Sequence, residues 1–257
     1  MLLQRYTVGR FRVELIAQLV QLGILLYCQI DTGILLRENN MKNKFRYQTA
    51  INVFLVLAVL FAFYIMYFKS DGLLQARGIA AFKYFTVLSN VFGGVMAAVW
   101  LIFSVFTRKK GKEMPRTVVL FKYTAAVCLG LTFVTVMVFL GPLYGYIAML
   151  RKANLWFHLL IPLTAMAEFV FLNSEEIGVR NCAASMLPML TYATFYLIYN
   201  LIMGQSENPF RYDWYGFLLW GWGVGVCIFA VICCVTFGIG AVLRLLNKNV
   251  GKKHTEK

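Results

Sequence analysis

Charged residues are scarce in this chain: Asp, Glu, Lys and Arg together make up only 14% of its 257 residues. A soluble domain usually carries about a quarter charged residues. Hydrophobic residues account for 60% of the sequence, and the mean hydropathy of +0.69 agrees with that excess. The composition therefore argues against one or two soluble domains and predicts a protein that is solvated by the lipid bilayer.

Histidines and paired cysteines are also rare. The two histidines are His158 and His254, and none of the six cysteines forms a CxxC pair. Most of the cysteines lie inside apolar runs, where a free cysteine behaves as a small hydrophobic side chain. A zinc site built from His and Cys is therefore not expected, and the sequence predicts neither a metal nor a cofactor.

The formal charge of +14 is concentrated in short segments between apolar runs. A basic stripe on a soluble module, which could follow a nucleic-acid backbone, is missing from the sequence. Basic segments between apolar runs instead match the cytoplasmic loops of a membrane protein, which face anionic lipid. The predicted partners are membrane lipids and not nucleic acid, and the oligomeric state is left open.

Six apolar segments are long enough to cross a bilayer, which requires about 20 residues of α-helix. No long polar linker separates them, and the sequence shows no internal repeat. We therefore predict an all-α fold consisting of one polytopic bundle of six transmembrane helices. The predicted helices cover residues 48–68, 79–106, 118–141, 153–173, 182–204 and 216–246.

Lysine and arginine are concentrated before the first predicted helix, between the second and third, and after the sixth. By the positive-inside rule, this asymmetry predicts a multi-pass protein of the cell membrane with both termini in the cytoplasm. Residues 41–247 then form the membrane domain and residues 248–257 a basic cytoplasmic tail. Aromatic residues near the sixth helix fit an outer interfacial belt, namely Tyr212, Trp214, Tyr215, Trp220 and Trp222.

Residues 1–40 fit this organisation poorly. The stretch 15–30 is apolar, but it is short and is interrupted by glutamines. It is interpreted either as an interfacial helix or as a seventh span. A third hypothesis is that translation starts at Met41, because Arg37-Glu38 can be encoded by a purine-rich stretch similar to a bacterial ribosome-binding site. Peptides from upstream of Met41 in natively expressed protein would contradict that start.

Several polar side chains fall inside the predicted helices, where lipid provides no hydrogen bonds. Thr86 and Asn90 share one face of the second helix. With a rise of 1.5 Å per residue, Thr86 lies about 10 Å and His158 about 8 Å below the outer surface. Tyr199 and Asn200 of the fifth helix lie about 6–8 Å below the same surface. Three helices are therefore expected to bring a hydroxyl, an imidazole and an amide to one level.

Thr86 and His158 have the chemistry of a nucleophile and its base. A threonine hydroxyl needs a base to take its proton, and a neutral histidine is the natural base near pH 7. Asn90, Tyr199 or Asn200 would orient the imidazole or donate to an oxyanion. A pocket inside the membrane would bring an acyl chain directly to the hydroxyl.

The same residues have structural interpretations. A membrane threonine commonly bonds its own helix backbone, and a membrane histidine can join two helices. Lys83 and Lys122, near helix ends, are expected to extend to water. Glu168 lies about 15 Å deeper than His158, so we expect it to be a pairing residue near the inner surface or a residue of a conformational change, and not to join the two catalytic candidates.

Two short stretches around Thr86 and His158 are similar to motifs of a known family. Phe82-Lys83-Tyr84-Phe85-Thr86-Val87-Leu88-Ser89-Asn90 resembles the threonine motif of the androgen-induced and androgen-dependent membrane hydrolases. Trp156-Phe157-His158-Leu159-Leu160-Ile161-Pro162, followed by Glu168, resembles their histidine motif. Later segments, Tyr196-Leu197-Ile198-Tyr199-Asn200 and Asn208-Pro209-Phe210, are also similar. The resemblance covers residues 45–245 and is to the bacterial six-helix branch.

Animal members of that family hydrolyse fatty acid esters of hydroxy fatty acids with a threonine and a histidine. The resemblance implies a lipid-ester hydrolase with Thr86 as nucleophile and His158 as general base, acting on a fatty-acyl ester near the outer leaflet. Ser89, one turn further along, is a rival nucleophile. The alternative is a non-enzymatic membrane protein, such as a lipid-binding or transport factor. A transporter should show broken helices or a charged path at the midplane.

Overall fold

The computed structural model describes residues 40–68, 78–110, 113–173, 175–204, 208 and 211–255. Residues 48–257 form one compact unit, and residues 1–47 form another, of which only the start of the first helix is described. The predictions made for residues 1–40 are an interfacial helix, a seventh span or an untranslated segment. Residues 1–39 of this segment lie outside the described residues.

Six helices are long and apolar enough to cross a membrane, which confirms the predicted all-α, six-helix architecture of a multi-pass membrane protein. The described part of the chain contains no β-strand. The six are α1 (Asn43–Phe68), α2 (Phe85–Lys109), α3 (Arg116–Tyr144), α4 (Ala153–Leu172), α5 (Val179–Met203) and α6 (Trp222–Val250). The helix that contains α1 begins at Asn40, and the helix that contains α6 continues to Thr255. Most of the predicted tail, residues 248–257, is therefore helical.

Two helices begin later than the hydropathy predicts. α2 starts at Phe85 instead of 79, and a 3₁₀-helix, Gly78–Lys83, precedes it. α6 starts at Trp222 instead of 216. Gly216 and Gly221 have φ angles of +70° and +90°, a conformation that glycine adopts easily and that turns the chain before the helix.

Three helices are built from shorter pieces, and one further short helix connects α3 to α4. The α-helical pieces are Arg116–Val134 and Gly141–Tyr144 in α3, Ala153–Leu155 and Ile161–Leu172 in α4, Val179–Ala184 and Leu187–Met203 in α5, and Tyr146–Met149 in the connection.

The interruptions in α3 and α4 are π-helical and each precedes a proline. The segment in α3 is Thr135–Leu140, before Pro142, and the segment in α4 is Trp156–Leu160, before Pro162. Proline has no backbone N–H and cannot donate to the carbonyl four residues earlier, so the hydrogen-bond register shifts locally. His158 lies inside the second segment, and its position depends on this irregularity.

α3 is the central helix and packs against α2, α4 and α6. Glycine allows two of these close approaches. A Cβ added at Gly93 of α2 would lie 2.7 Å from Leu129 of α3, and one at Gly130 of α3 would lie 2.8 Å from Ile239 of α6. Buried apolar side chains of α1, α2, α3 and α4 form one continuous cluster. This packing fixes the positions of α2 and α4, which carry Thr86 and His158.

Candidate active site

His158 is buried in the π-helical segment of α4, with only 3% of its surface exposed. Its Nδ1 atom lies 2.7 Å from the backbone carbonyl oxygen of Met149, in the short helix before α4. A carbonyl oxygen only accepts hydrogen bonds, so Nδ1 carries the proton and the neutral ring has its lone pair on Nε2. Nε2 makes no hydrogen bond with a described residue and can act as a base.

Thr86 lies in the first turn of α2 and not deeper in the helix, because α2 begins later than predicted. Its hydroxyl makes no hydrogen bond with any residue that the structure describes. The hydroxyls of Thr124, Thr164 and Thr236 donate to the carbonyl four residues earlier, at 2.9 Å, 2.7 Å and 2.7 Å. The hydroxyls of four other threonines resemble that of Thr86 in making no hydrogen bond with a described residue, namely Thr117, Thr135, Thr191 and Thr194. The structural interpretation of Thr86, a bond to its own helix, therefore does not apply in this structure.

Asn90 links α2 to the segment that carries His158. Its Nδ2 donates to the carbonyl oxygen of Thr86 at 2.7 Å and to that of Phe157, the residue before His158, at 3.0 Å. Both amide hydrogens are thereby used, so the predicted role as an oxyanion donor would require one of these bonds to break. The Oδ1 atom of Asn90 is buried and makes no hydrogen bond. The Oδ1 atom of Asn90 is therefore available as a hydrogen-bond acceptor, and its amide hydrogens are not available as donors.

No direct hydrogen bond joins the Thr86 hydroxyl to the His158 ring, both of which are among the described residues. Their connection passes through the backbone and Asn90, whose single nitrogen lies within 3.0 Å of the carbonyl oxygens of Thr86 and Phe157. The structure thus brings the two segments together at one end of the bundle, which we call the His158 end.

Ser89, the rival nucleophile, is occupied by structural bonds. Its hydroxyl lies 3.0 Å from the carbonyl oxygen of Thr86 and 2.9 Å from the hydroxyl of Thr132 on α3. Only 3% of its surface is exposed. In this arrangement Ser89 connects α2 to α3, and its hydroxyl is less available than that of Thr86.

Tyr199 and Asn200 interact within their own region of the chain. Asn200 donates to the carbonyl of Tyr196, one turn earlier on α5, at 2.9 Å. The Tyr199 ring packs against Trp214 and Tyr212, with ring centroids 5.5 Å and 6.2 Å apart. Their predicted contribution to a site with Thr86 and His158 stays a prediction.

Residues 211–221, which we call the aromatic loop, fold over the start of α2. The backbone N–H of Phe85 donates to the hydroxyl of Tyr215 at 2.8 Å. The indole of Trp214 donates to the hydroxyl of Tyr192 at 3.1 Å, and Tyr192 donates to the carbonyl of Lys83 at 2.5 Å. Burial raises the pKa of Tyr215 well above its ordinary value, so this phenol stays protonated at neutral pH.

The aromatic loop changes the prediction of an interfacial belt. Trp220 and Trp222 are exposed, as residues of such a belt should be, with 72% and 46% of their surfaces accessible. Trp214 and Tyr215 instead contact α2 and α5. Because α2 starts late and the loop folds inward, Tyr192 contacts the Thr86 segment, about two turns before Tyr199 on α5.

Asp213 holds the aromatic loop in place. Its carboxylate accepts hydrogen bonds from the hydroxyl of Tyr196 and from the backbone N–H groups of Phe217, at 3.0 Å, and Leu218, at 2.8 Å. The residue is buried, with 7% of its surface exposed. The sequence signal for this role is a single acid between aromatic residues in a glycine-bounded turn, and the sequence interpretation missed it.

Replacement of Asp213 by alanine is expected to lower the free energy of unfolding by about 1–3 kcal/mol, because three donors lose their acceptor, one of them the buried hydroxyl of Tyr196. Thermal unfolding of the purified protein in detergent, followed by tryptophan fluorescence, measures this change. Glu113→Ala removes an exposed acid from another loop and serves as the control. Equal midpoints for the two variants would contradict the anchoring role of Asp213.

A second polar cluster lies nearer the opposite ends of α1, α3 and α4, which we call the Glu168 end. Lys122 and Glu168 form an ion pair, and Asn52 donates to the same Glu168 oxygen at 2.6 Å. Lys122 also donates to Asn52 Oδ1 at 2.5 Å and lies 5.5 Å from the ring centroid of Trp100. We call Asn52, Lys122 and Glu168 the buried charge cluster.

The buried charge cluster corrects the expectation that Lys122 extends to water. The Lys122 side chain is only 14% exposed, and that of Glu168 only 5%. A charge held in such a site needs a partner, because desolvation is costly in the absence of an opposite charge. Glu168 provides it, in line with the expectation that this residue pairs and does not join the catalytic candidates.

Comparison of the chain with protein-family models, curated proteins and solved structures finds no match. The arrangement of its own residues is therefore the basis for assigning a function.

Proposed function

We propose that this membrane protein is a lipid-ester hydrolase in which Thr86 is the nucleophile and His158 the general base. The observation that carries the proposal is the state of the two side chains. The His158 ring is held through Nδ1 by the Met149 carbonyl, so Nε2 is the basic atom. Thr86 lies in the first turn of α2, the helix that Asn90 links to the His158 segment. Its hydroxyl makes no hydrogen bond with a described residue.

The reaction requires two steps at one ester carbonyl. The Thr86 oxygen attacks the carbonyl carbon while His158 Nε2 takes the hydroxyl proton, and the proton then passes to the departing alcohol. Water next attacks the acyl-threonine, with His158 as base, and releases the fatty acid. Hydrogen bonds between a nucleophile and its base are often long in the free enzyme and shorten when the substrate is bound. The absence of a direct hydrogen bond between Thr86 and His158 is therefore compatible with this mechanism.

The backbone of Thr86 fits the stabilisation of an oxyanion. The first N–H groups of a helix have no acceptor within that helix, and the helix dipole favours negative charge at that end. Thr86 is the second residue of α2. Its own N–H is therefore our candidate oxyanion donor, a role that Asn90 cannot fill while its amide bonds two carbonyls.

The membrane setting and the sequence motifs support the same assignment. The distribution of Lys and Arg favours the His158 end on the outer side of the cell membrane, where lipid ester groups are found near the helix ends. The resemblance of the 82–90 and 156–162 stretches to threonine and histidine motifs of membrane hydrolases points to a fatty-acyl ester as substrate. No cofactor takes part in this mechanism.

Fluorophosphonate labelling of the purified protein tests the proposal. We expect wild type to be labelled and Thr86→Ala and His158→Ala to lose the label, because the reagent traps a nucleophile that has been activated by a base. Ser89→Ala and Thr164→Ala are the controls, since both hydroxyls already have structural partners. Equal labelling of all variants would remove Thr86 as the nucleophile, and no labelling of the wild type would favour a non-enzymatic lipid-binding or transport factor.

A further inference from the structure

Lys83 is a cation placed between aromatic rings at the start of α2. It is the last residue of the 3₁₀-helix Gly78–Lys83 and is partly buried. Its Nζ lies 5.2 Å from the ring centroid of Tyr84 and 5.6 Å from that of Trp214 in the aromatic loop. The hydrogen bond from Tyr192 to the Lys83 carbonyl fixes the backbone at this point. The backbone of Lys83 is thus held in place, and its amine lies against two aromatic rings.

The Lys83 amine has no acidic partner in the described part of the chain. Its ammonium group forms no ion pair there, and the nearby loop acid, Asp213, is occupied by three donors. Aromatic faces attract a cation but do not neutralise it. Partial burial lowers the pKa of Lys83 by desolvation. An external anion would complete the environment of this ammonium group.

The position of Lys83 relative to Thr86 indicates which class of anion would bind the Lys83 ammonium group. Lys83 lies just before α2, a helix long and apolar enough to span a membrane that begins at Phe85, and Thr86 lies in the first turn of that helix. The two residues are three positions apart, which limits the distance between their Cα atoms to about 11 Å. In a glycerophospholipid the phosphate lies in the headgroup region and the acyl ester directly below it. From the membrane surface inward, the lipid presents first its phosphate and then its ester, and the protein presents first the Lys83 amine and then the Thr86 hydroxyl.

We propose that Lys83 binds the phosphate of a membrane glycerophospholipid and thereby places an acyl ester of that lipid at Thr86. Tyr84 and Trp214 flank the amine and shield the charge pair from water. The choice of substrate rests on the proposed hydrolase function, whereas the phosphate site does not. Neutral glycerolipids with the same acyl chains lack the anion and are expected to bind more weakly.

Lipid binding to the purified full-length chain in maltoside micelles tests the phosphate site. The probes are phosphatidate and diacylglycerol with identical brominated acyl chains, and the readout is quenching of tryptophan fluorescence, with Trp214 next to the amine. We expect phosphatidate to quench at a concentration about tenfold lower than diacylglycerol, because a charge-assisted contact contributes at least that factor. Lys83→Met should abolish the difference, whereas Lys83→Arg and Lys109→Met, at the other end of α2, should keep it.

Several results would overturn a glycerophospholipid as the ligand of Lys83. These are equal quenching by both lipids in the wild type, an unchanged preference in Lys83→Met, and equal binding of a brominated fatty acid. Displacement of phosphatidate by inorganic phosphate at an equal concentration would make free phosphate the ligand and would also overturn the lipid. Hydrolysis assays separate this inference from the enzyme proposal. Loss of lipid preference in Lys83→Met without ester cleavage by any variant would keep the phosphate site and remove the hydrolase. Cleavage without a preference for phosphate would do the reverse.

Discussion

Replacement of Glu168 by leucine is expected to lower the free energy of unfolding by about 3–5 kcal/mol, the usual effect of removing one partner of a buried ion pair. The carboxylate oxygen of Glu168 accepts hydrogen bonds from Lys122 and Asn52. Without it, the Lys122 ammonium group would remain in a low-dielectric site, 14% exposed, with only the Asn52 carbonyl oxygen as its acceptor. The aromatic face of Trp100 would not replace a full negative charge.

The double variant Lys122→Met/Glu168→Leu separates the cost of an unpaired charge from the contribution of the pair. Replacing both members of a buried ion pair by apolar residues is often neutral or stabilising, so we expect the double variant to be far more stable than Glu168→Leu. Unfolding in mixed micelles with increasing dodecyl sulfate, followed by circular dichroism, provides the measurement. Glu176→Leu, which removes an exposed acid, is the control. Additive effects of the two substitutions would contradict the pairing.

The six helices could be predicted from the sequence because each depends on a local property, a run of apolar residues long enough to span the bilayer. The buried charge cluster could not be predicted in the same way. Asn52, Lys122 and Glu168 lie on three helices, and their contact depends on which helices are neighbours and how each is rotated. Sequence position alone placed Lys122 near a helix end, where extension to water is the ordinary outcome.

The candidate site was predictable in its residue types but not in its connections. The resemblance and the shared depth selected Thr86 and His158. The partner that orients His158 is a backbone carbonyl, that of Met149, and no side-chain pattern in the sequence identifies such a partner. The inward course of the aromatic loop depends on Asp213 and on glycines with positive φ, and the contact of Tyr192 with the Lys83 carbonyl was not predicted.

The π-helical segment explains why His158 is difficult to place from an ideal helix. Pro162 removes the donor that would bond the His158 carbonyl in a regular α-helix. The resulting wider turn changes the direction of the side chains relative to 3.6-residue periodicity. A π-bulge within an α-helix is frequently associated with a functional site. The irregularity thus agrees with a catalytic role for the histidine it contains.

His158→Ala is expected to reduce kcat for a fatty-acyl ester by about 10²–10⁴-fold, which is the usual contribution of a general base. Thr86→Ala is expected to leave only the uncatalysed rate, because it removes the hydroxyl that attacks the ester in the proposed covalent step. The combined variant should be no slower than Thr86→Ala, since a base without its nucleophile has no proton to take. Hydrolysis of a chromogenic short-chain acyl ester by the protein in bicelles measures all three rates.

The controls for this experiment use residues of the same type elsewhere in the chain. His254→Ala removes the second histidine, and Thr164→Ala removes a hydroxyl that donates to its own helix at 2.7 Å; both should retain the wild-type rate. Thr86→Ser keeps a hydroxyl and should keep measurable activity. A wild-type rate in His158→Ala would show that its Nε2 takes no proton during the reaction. The bond between Nδ1 and Met149 would then be a structural link between α4 and the preceding short helix, and the free hydroxyl of Thr86 would need another explanation.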